Sequence, residues 1–147
     1  MTTTTMTIET AKLASAIISI FEGPGPRNNA GLYMPYQDGG GVWTIGRGHT
    51  AGVTAATPPA TQFQVDDWFA ADQAALFKLV ASLPVLEAAA WLSFGFNCGM
   101  GAMLACMRAG AEHLRNYVHD AKGNVEPGLV TRRDREYFLI LLSRRLS

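Results

Sequence analysis

Gly41-Val42-Trp43-Thr44-Ile45-Gly46-Arg47-Gly48-His49-Thr50 is the stretch on which the fold turns. Val42 to Ile45 is β-prone, and Gly46-Arg47-Gly48 is a turn signal that reverses the chain. Asp38-Gly39-Gly40-Gly41 is a second turn signal, and another β-prone piece, Gly31 to Tyr36, precedes it. A third strand is expected around His49 to Val53. The glycines fall between strands rather than between a strand and a helix, so they make no dinucleotide-binding fingerprint. Residues 23–57, rich in Gly, Pro, Asn and aromatics, therefore read as a small antiparallel sheet.

Upstream of this sheet, Ile8, Ala11, Leu13, Ala14, Ile17, Ile18 and Phe21 are spaced mainly by three and four, which predicts an amphipathic helix over Ile8 to Phe21. Gly23-Pro24-Gly25-Pro26 cannot continue it, so Glu22 stands at its end. Residues 1–7 are Thr-rich and read as a loose tail. Downstream, Val65 to Leu83 predicts a helix that Pro84 breaks. Leu86 to Phe96 is almost wholly apolar, as a central buried helix would be. Gly99 and Gly101 are expected to interrupt it, and Ala102 to Val118 reads as a further helix or a pair. Lys122 to Asn124 and Pro127-Gly128 form a loop, and Thr131 is the expected N-cap of a last helix, Arg132 to Leu146. The expected fold class is α+β: one domain over residues 1–147, with the sheet forming one wall of a cleft beside a helical lobe.

The composition excludes several function classes. Hydrophobic residues make up 48% and charged residues 16% of the chain, as in a globular domain with a full core. The formal net charge is zero, without the basic excess of a nucleic-acid binder. Arg132, Arg133, Arg135, Arg144 and Arg145 cluster near the C-terminal end; they form either a patch for anionic polymers or a solvated helix face. Cys98 and Cys106 make no disulfide framework and read as small buried hydrophobes. The start lacks the pattern of a signal peptide, and no apolar run reaches the roughly 20 residues that span a bilayer. The reading is a soluble chain, monomeric by default, with no stable membrane insertion; action on the outside of a cell would need release or delivery.

Glu22, Asp38 and Thr44 are the candidates for chemistry. Hydrolysis of a glycosidic bond uses two carboxyl groups with different tasks, one protonated and one ionised. Glu22 follows an apolar helical run, where partial desolvation would favour the protonated form. Asp38 sits in a solvated Gly-rich hairpin, and the Thr44 hydroxyl on the next strand can hold a water beside it. Taken alone, an acid at a helix end and an acid in a turn also read as a solvated charge and a turn former.

The surrounding motifs add a resemblance. Phe21-Glu22-Gly23, Tyr36-Gln37-Asp38 and Thr44-Ile45-Gly46-Arg47-Gly48-His49 resemble the signature of the phage-type lysozymes, the bacteriophage endolysins. Ala90 to Gly99, with Phe96-Asn97-Cys98-Gly99, is similar to that family's central helix and its end. Gly128-Leu129 with Arg132-Arg133 and Glu136 is similar to its last helix. The resemblance spans Ile8 to Leu142. It implies a lysozyme-like fold and an N-acetylmuramidase that cuts peptidoglycan glycan strands without metal or cofactor, in phage-mediated cell-wall degradation and host lysis. It implies a protein held in the host cytoplasm until it reaches the cell wall, or one carried in the virion. Residue by residue, it implies Glu22 as general acid, Asp38 as the carboxylate that handles the attacking water, and Thr44 as that water's hydrogen-bond partner. Inversion is the family's usual outcome, which implies carboxyl groups about 6.5–9.5 Å apart.

Thr50 and Phe96 match positions that line the family's glycan cleft, although Phe96 also reads as core; Asn97 is expected to reach the cleft with its amide, and Arg132 joins them as a candidate substrate-binding residue. Arg132, with Arg133 as the alternative, matches a basic residue that pairs with the general acid. His49 is read as structural, with Asp72 as its partner; His113 and His119 read as surface residues. The fifteen residues between Glu22 and Asp38 exceed the family's spacing, and the surplus Gly23 to Asn29 is either a bulging loop or a cause of misregister. A non-catalytic, peptidoglycan-binding or virion-associated module is the competing reading, and a glycosidase acting on chitin-like polymers is a third.

Overall fold

A computed structural model of the chain describes residues 3–23 and 25–147. Pro24, one of the expected helix breakers, and residues 1–2 of the expected tail lie outside the described residues. The first helix, α1, runs Thr3–Glu22 and so begins before the expected Ile8. Residues 3–7 are helical rather than loose. Once a helix is nucleated, adding residues is far cheaper than starting one, and Thr costs only a few tenths of a kcal/mol more than Ala. Ala11, Ala14 and Ile18 bury one stripe of α1, as their spacing predicts. The helix stops at Glu22 because Gly23 takes the left-handed conformation, φ +84°, and its N–H donates to the Ser19 carbonyl at 2.9 Å.

The sheet is smaller than expected. Its strands are β1, Tyr36–Gln37, and β2, Trp43–Thr44, antiparallel, with Tyr36 opposite Thr44 and Gln37 opposite Trp43. In place of a third strand, one bridge joins Ile45 to His49. Gly46 and Gly48 flank Arg47 at φ +65° and +78°, a conformation that turns the chain instead of extending a ladder. Gly46 has a second reason to lack a side chain: a Cβ there would lie 2.8 Å from a Val65 methyl. Tyr33, Ile45, Ala60 and Val65 form the core beneath the hairpin, with Val53 and Trp68 packed on it.

The surplus loop between Glu22 and Asp38 closes on itself. Arg27 bridges to Tyr33, Asn28 N–H donates to the Leu32 carbonyl at 2.9 Å, and Met34 N–H donates to the Pro26 carbonyl at 3.0 Å. The Arg27 guanidinium also lies over the Tyr33 ring, 4.0 Å from its centre. A capping box of Thr61 and Gln64 starts α2, Gln62–Asp72. The single helix expected over 65–83 is broken at Gln73, and α3 occupies Ala74–Leu79.

The chain divides into two compact units, Met1–Ala74 and Ala75–Ser147. The second holds α4, Val85–Cys98; α5, Met100–Ala109; a 3-10 helix, Ala111–Asn116; and α6, Pro127–Leu146. Residues Glu87 to Gly95 of α4 are all buried, as the apolar run predicts. Gly99, at φ +92°, separates α4 from α5, whereas Gly101 sits inside α5 and interrupts nothing. Thr131 is not an N-cap: α6 starts at Pro127, a residue suited to a first helical position, and the Thr131 hydroxyl donates back to the Pro127 carbonyl at 3.2 Å. Among the described residues, no helix is long and apolar enough to cross a membrane.

The arginine cluster of α6 is neither one patch nor one solvated face. Arg132 and Arg133 are 2% and 0% exposed, and both pair with Glu136, also 0% exposed. Spacings of three and four put all three on one side of α6. Ser93 and Asn97, four apart on α4, complete the network: Ser93 Oγ donates to Glu136 at 2.6 Å, and Arg133 donates to the Asn97 side-chain amide oxygen, Oδ1. Burial pushes the Glu136 carboxyl above its usual range against the pull of the two guanidiniums. Arg144 reaches Glu87 instead, at 3.1 Å. Cys106 is buried as expected and Cys98 half-buried; both are free thiols.

Candidate active site

Asp38 is built into a reverse turn by its own side chain. Oδ1 accepts from the N–H groups of Gly40 and Val42, each at 2.9 Å. The Asp38 carbonyl accepts from Gly41, which sits at φ +80°. This is a three-residue hairpin loop with a left-handed glycine at its end. Asp38 is exposed, and among the described residues Oδ2 accepts no hydrogen bond. One oxygen thus fixes the carboxylate while the other stays open to a water or ligand.

The register places Thr44 beside it. Tyr36 faces Thr44 across the pair, and Asp38 lies two residues beyond Tyr36, so Asp38 and Thr44 are diagonal neighbours on one face. Thr44 is 3% exposed, and its hydroxyl donates to the Val42 carbonyl at 2.9 Å. Its proton is therefore committed, and toward a water the oxygen acts as acceptor.

Glu22 is the last residue of α1, as expected, but it is exposed. Of the apolar run before it, Ile17 and Ile18 are buried, while Ile20 and Glu22 itself face solvent. The residues on either side of Glu22 are gripped by a group that sequence reasoning passed over. Arg47, 6% exposed, donates through Nη1 to the Gly23 carbonyl at 3.1 Å and through Nη2 to the Ser19 hydroxyl. A cation also suits the carbonyl end of a helix. The available signal was a charged residue between two glycines in an otherwise apolar hairpin.

Thr50 is exposed, just past the Ile45–His49 bridge. His49 is structural, as expected: Nδ1 lies 2.7 Å from Asp72 Oδ2, and the ring stacks on Trp68 at 4.4 Å. In the second unit, Phe96 is half-buried and Asn97 exposed. Arg132, expected at a sugar-contacting position, is instead buried, with Nη2 on the Ser93 carbonyl at 3.1 Å; a side chain so enclosed presents little to a polymer. His113 and His119 are exposed.

A second polar centre in the first unit was not anticipated. Asp66, on α2, is 4% exposed; Gln62 donates to its Oδ1 at 2.9 Å, and Oδ2 has no hydrogen-bond partner among the described residues. Burial raises its pKa above the usual carboxylate range. It borders a cavity of about 290 Å³ between α1 and α2, otherwise lined mainly by apolar groups of Ile8, Ala11, Phe63 and Ala70.

The comparisons with known proteins bear on this arrangement. The chain is similar to the active form of the P1 phage endolysin Lyz, with 22% identity, a TM-score of 0.58, and coverage of 89% of this chain and 94% of that one. It is also similar to the muramidase domain of SpmX from Asticaccaulis excentricus, with 23% identity, a TM-score of 0.62, and coverage of 87% and 94%. These likenesses support the lysozyme-like α+β fold. No curated protein matches the chain. The family model described as phage lysozyme matches residues 30–136, a span that includes Asp38, Thr44, Asn97 and Arg132 and begins after Glu22. That match covers well over half of the sequence: the chain belongs to the phage lysozyme family and is a glycoside hydrolase.

Proposed function

We propose that this protein is a muramidase that hydrolyses the β-1,4 bond from N-acetylmuramic acid to N-acetylglucosamine in peptidoglycan, with inversion, and that it serves phage-mediated host lysis. The observation that carries the reading is Asp38: a carboxylate held rigidly through one oxygen, open at the other, and sharing a face with Thr44. In this reading Asp38 Oδ2 and Thr44 Oγ1 each accept one proton of a water. The water's oxygen then attacks the anomeric carbon of the muramic acid, and Asp38 takes the proton. Glu22 gives its proton to the departing glucosamine oxygen, and the new reducing end is the α anomer. Thr50, Phe96 and Asn97 are the proposed glycan contacts. No step calls for a metal or cofactor.

The test is digestion of purified sacculi with the first-formed anomer read by NMR. New N-acetylmuramic acid reducing ends, formed as the α anomer, are expected. N-acetylglucosamine ends would overturn the bond assignment, and a β anomer would overturn inversion. Glu22→Gln should lower kcat by at least about 10²–10⁴-fold. Its thermal midpoint, measured alongside, separates lost chemistry from lost fold. Should wild type bind sacculi without cutting them, the catalytic reading falls and a binding module replaces it.

A further inference from the structure

We infer that Arg47 is a positioning residue that sets Glu22 against the Asp38–Thr44 face; the inference rests on the muramidase reading above. Along the backbone, fifteen residues separate Glu22 from Asp38, and a loop of that length does not by itself fix the distance between two carboxyl groups. Arg47 supplies a shorter path. It lies three residues beyond Thr44, and its guanidinium holds the Gly23 carbonyl and the Ser19 hydroxyl, one on each side of Glu22. Each end of this path is itself fixed. Ser19 Oγ donates to the Ser15 carbonyl at 2.9 Å within α1. At the other end, the Gly46–Gly48 loop is closed by paired backbone bonds between Ile45 and His49, at 2.9 and 3.1 Å, and Gly46 sits hard against Val65. Arg47 is 6% exposed, so no polymer surface accounts for it. The planar fork matters as well as the charge: two nitrogens reach two acceptors, which a lysine ammonium on its single stem cannot reproduce. Shifting a reacting group by about 1 Å costs on the order of 10²-fold in rate, so loss of this grip falls on turnover rather than on sugar binding.

The experiment compares the full-length wild type with Glu22→Gln, Arg47→Met, Arg47→Lys and Ser19→Ala on soluble peptidoglycan glycan fragments. It reads kcat, KM and thermal midpoint for each, with kinetics taken well below every midpoint. Arg47→Met is expected to lose about 10²-fold in kcat with KM within about twofold of wild type. Arg47→Lys is expected to regain part of that loss through one remaining contact, and Ser19→Ala to fall between wild type and Arg47→Met. Wild-type kcat in Arg47→Met, or a change in KM alone, overturns the inference; so does a kcat loss that only follows the unfolded fraction. Where Arg47→Met does not fold, Ser19→Ala decides: lower kcat at unchanged KM supports the inference, and wild-type kcat overturns it. A Glu22→Gln enzyme that stays active removes the muramidase assignment of Glu22 and the inference with it. An inactive Glu22→Gln beside a fully active Arg47→Met removes the inference alone.

Discussion

The turn that carries Asp38 and the turn at Asn28 have the same construction. At Asn28, Oδ1 accepts from the N–H groups of Ala30 and Leu32, and the carbonyl accepts from Gly31 at φ +78°. At Asp38 the same roles fall to Gly40, Val42 and Gly41 at φ +80°. A third copy, in the second unit, has Asp120 accepting from Lys122 and Asn124, with Gly123 at φ +85°. An uncharged amide builds this turn as well as a carboxylate does. The charge at Asp38 is therefore more than the turn requires, and the chain carries its own controls: an amide at 28, and a second carboxylate at 120 in the other unit.

The largest test of that comparison is Asp38→Asn. The turn survives, because the amide oxygen accepts the same N–H groups, and the thermal midpoint should hold. Turnover should fall by about 10²–10⁴-fold. Asp120→Asn and Asn28→Asp should stay within about twofold of wild-type kcat. An active Asp38→Asn would make Asp38 only a turn former, and a crippled Asp120→Asn would end its use as a control.

Glu136 gives a different case, a buried carboxylate enclosed by two guanidiniums. Glu136→Gln takes their shared carboxylate from two buried guanidiniums and should cost about 3–5 kcal/mol in a urea melt. A loss as small as that of a surface substitution would show the network is dispensable. A smaller effect tests whether the three turns are equivalent. Gly31→Ala, Gly41→Ala and Gly123→Ala meet nothing within 4 Å, so each should pay only the left-handed backbone penalty, about 1–2 kcal/mol, and all three alike.

The smallest effect is in pH dependence. Backbone N–H groups, that of Asn124 foremost, hold the Asp120 carboxyl below its usual value of 3.8. Its contribution to stability is present above that value and is lost as pH falls through the lowered pKa. Asp66 has the opposite sign: burial raises its pKa, so its contribution is full below 3.8 and is lost as pH rises through the raised value. Stability curves of Asp120→Asn and Asp66→Asn against wild type should diverge in opposite directions along the pH axis, and parallel curves would refute both assignments.

Much of this could be read in the sequence. Periodicity located α1 and α4, Gly23 marked the exit at Glu22, and the Asp38 and Gly46–Gly48 turns fell where glycine required them. What failed was what local pattern does not encode. Strand length depends on which glycines turn left-handed, so the third strand reduced to one bridge. Thr131 has the chemistry of a cap, but Pro127 four residues earlier claimed the start of α6. The burial of Arg132, Arg133 and Glu136 depends on Ser93 and Asn97, some forty residues away in the chain, so a charged helix face passed for a surface. Arg47 was overlooked for the same reason: its acceptors lie at the end of α1 and on the residue just past it, far upstream.

The seat of Gly46 on Val65 offers a natural spectroscopic reporter. Both Val65 methyls lie within 3 Å of where a Gly46 side chain would begin, so their chemical environment is set by the hairpin's outer loop. Methyl-labelled protein would show hairpin displacement as a shift or broadening at one valine, without a foreign probe near Asp38.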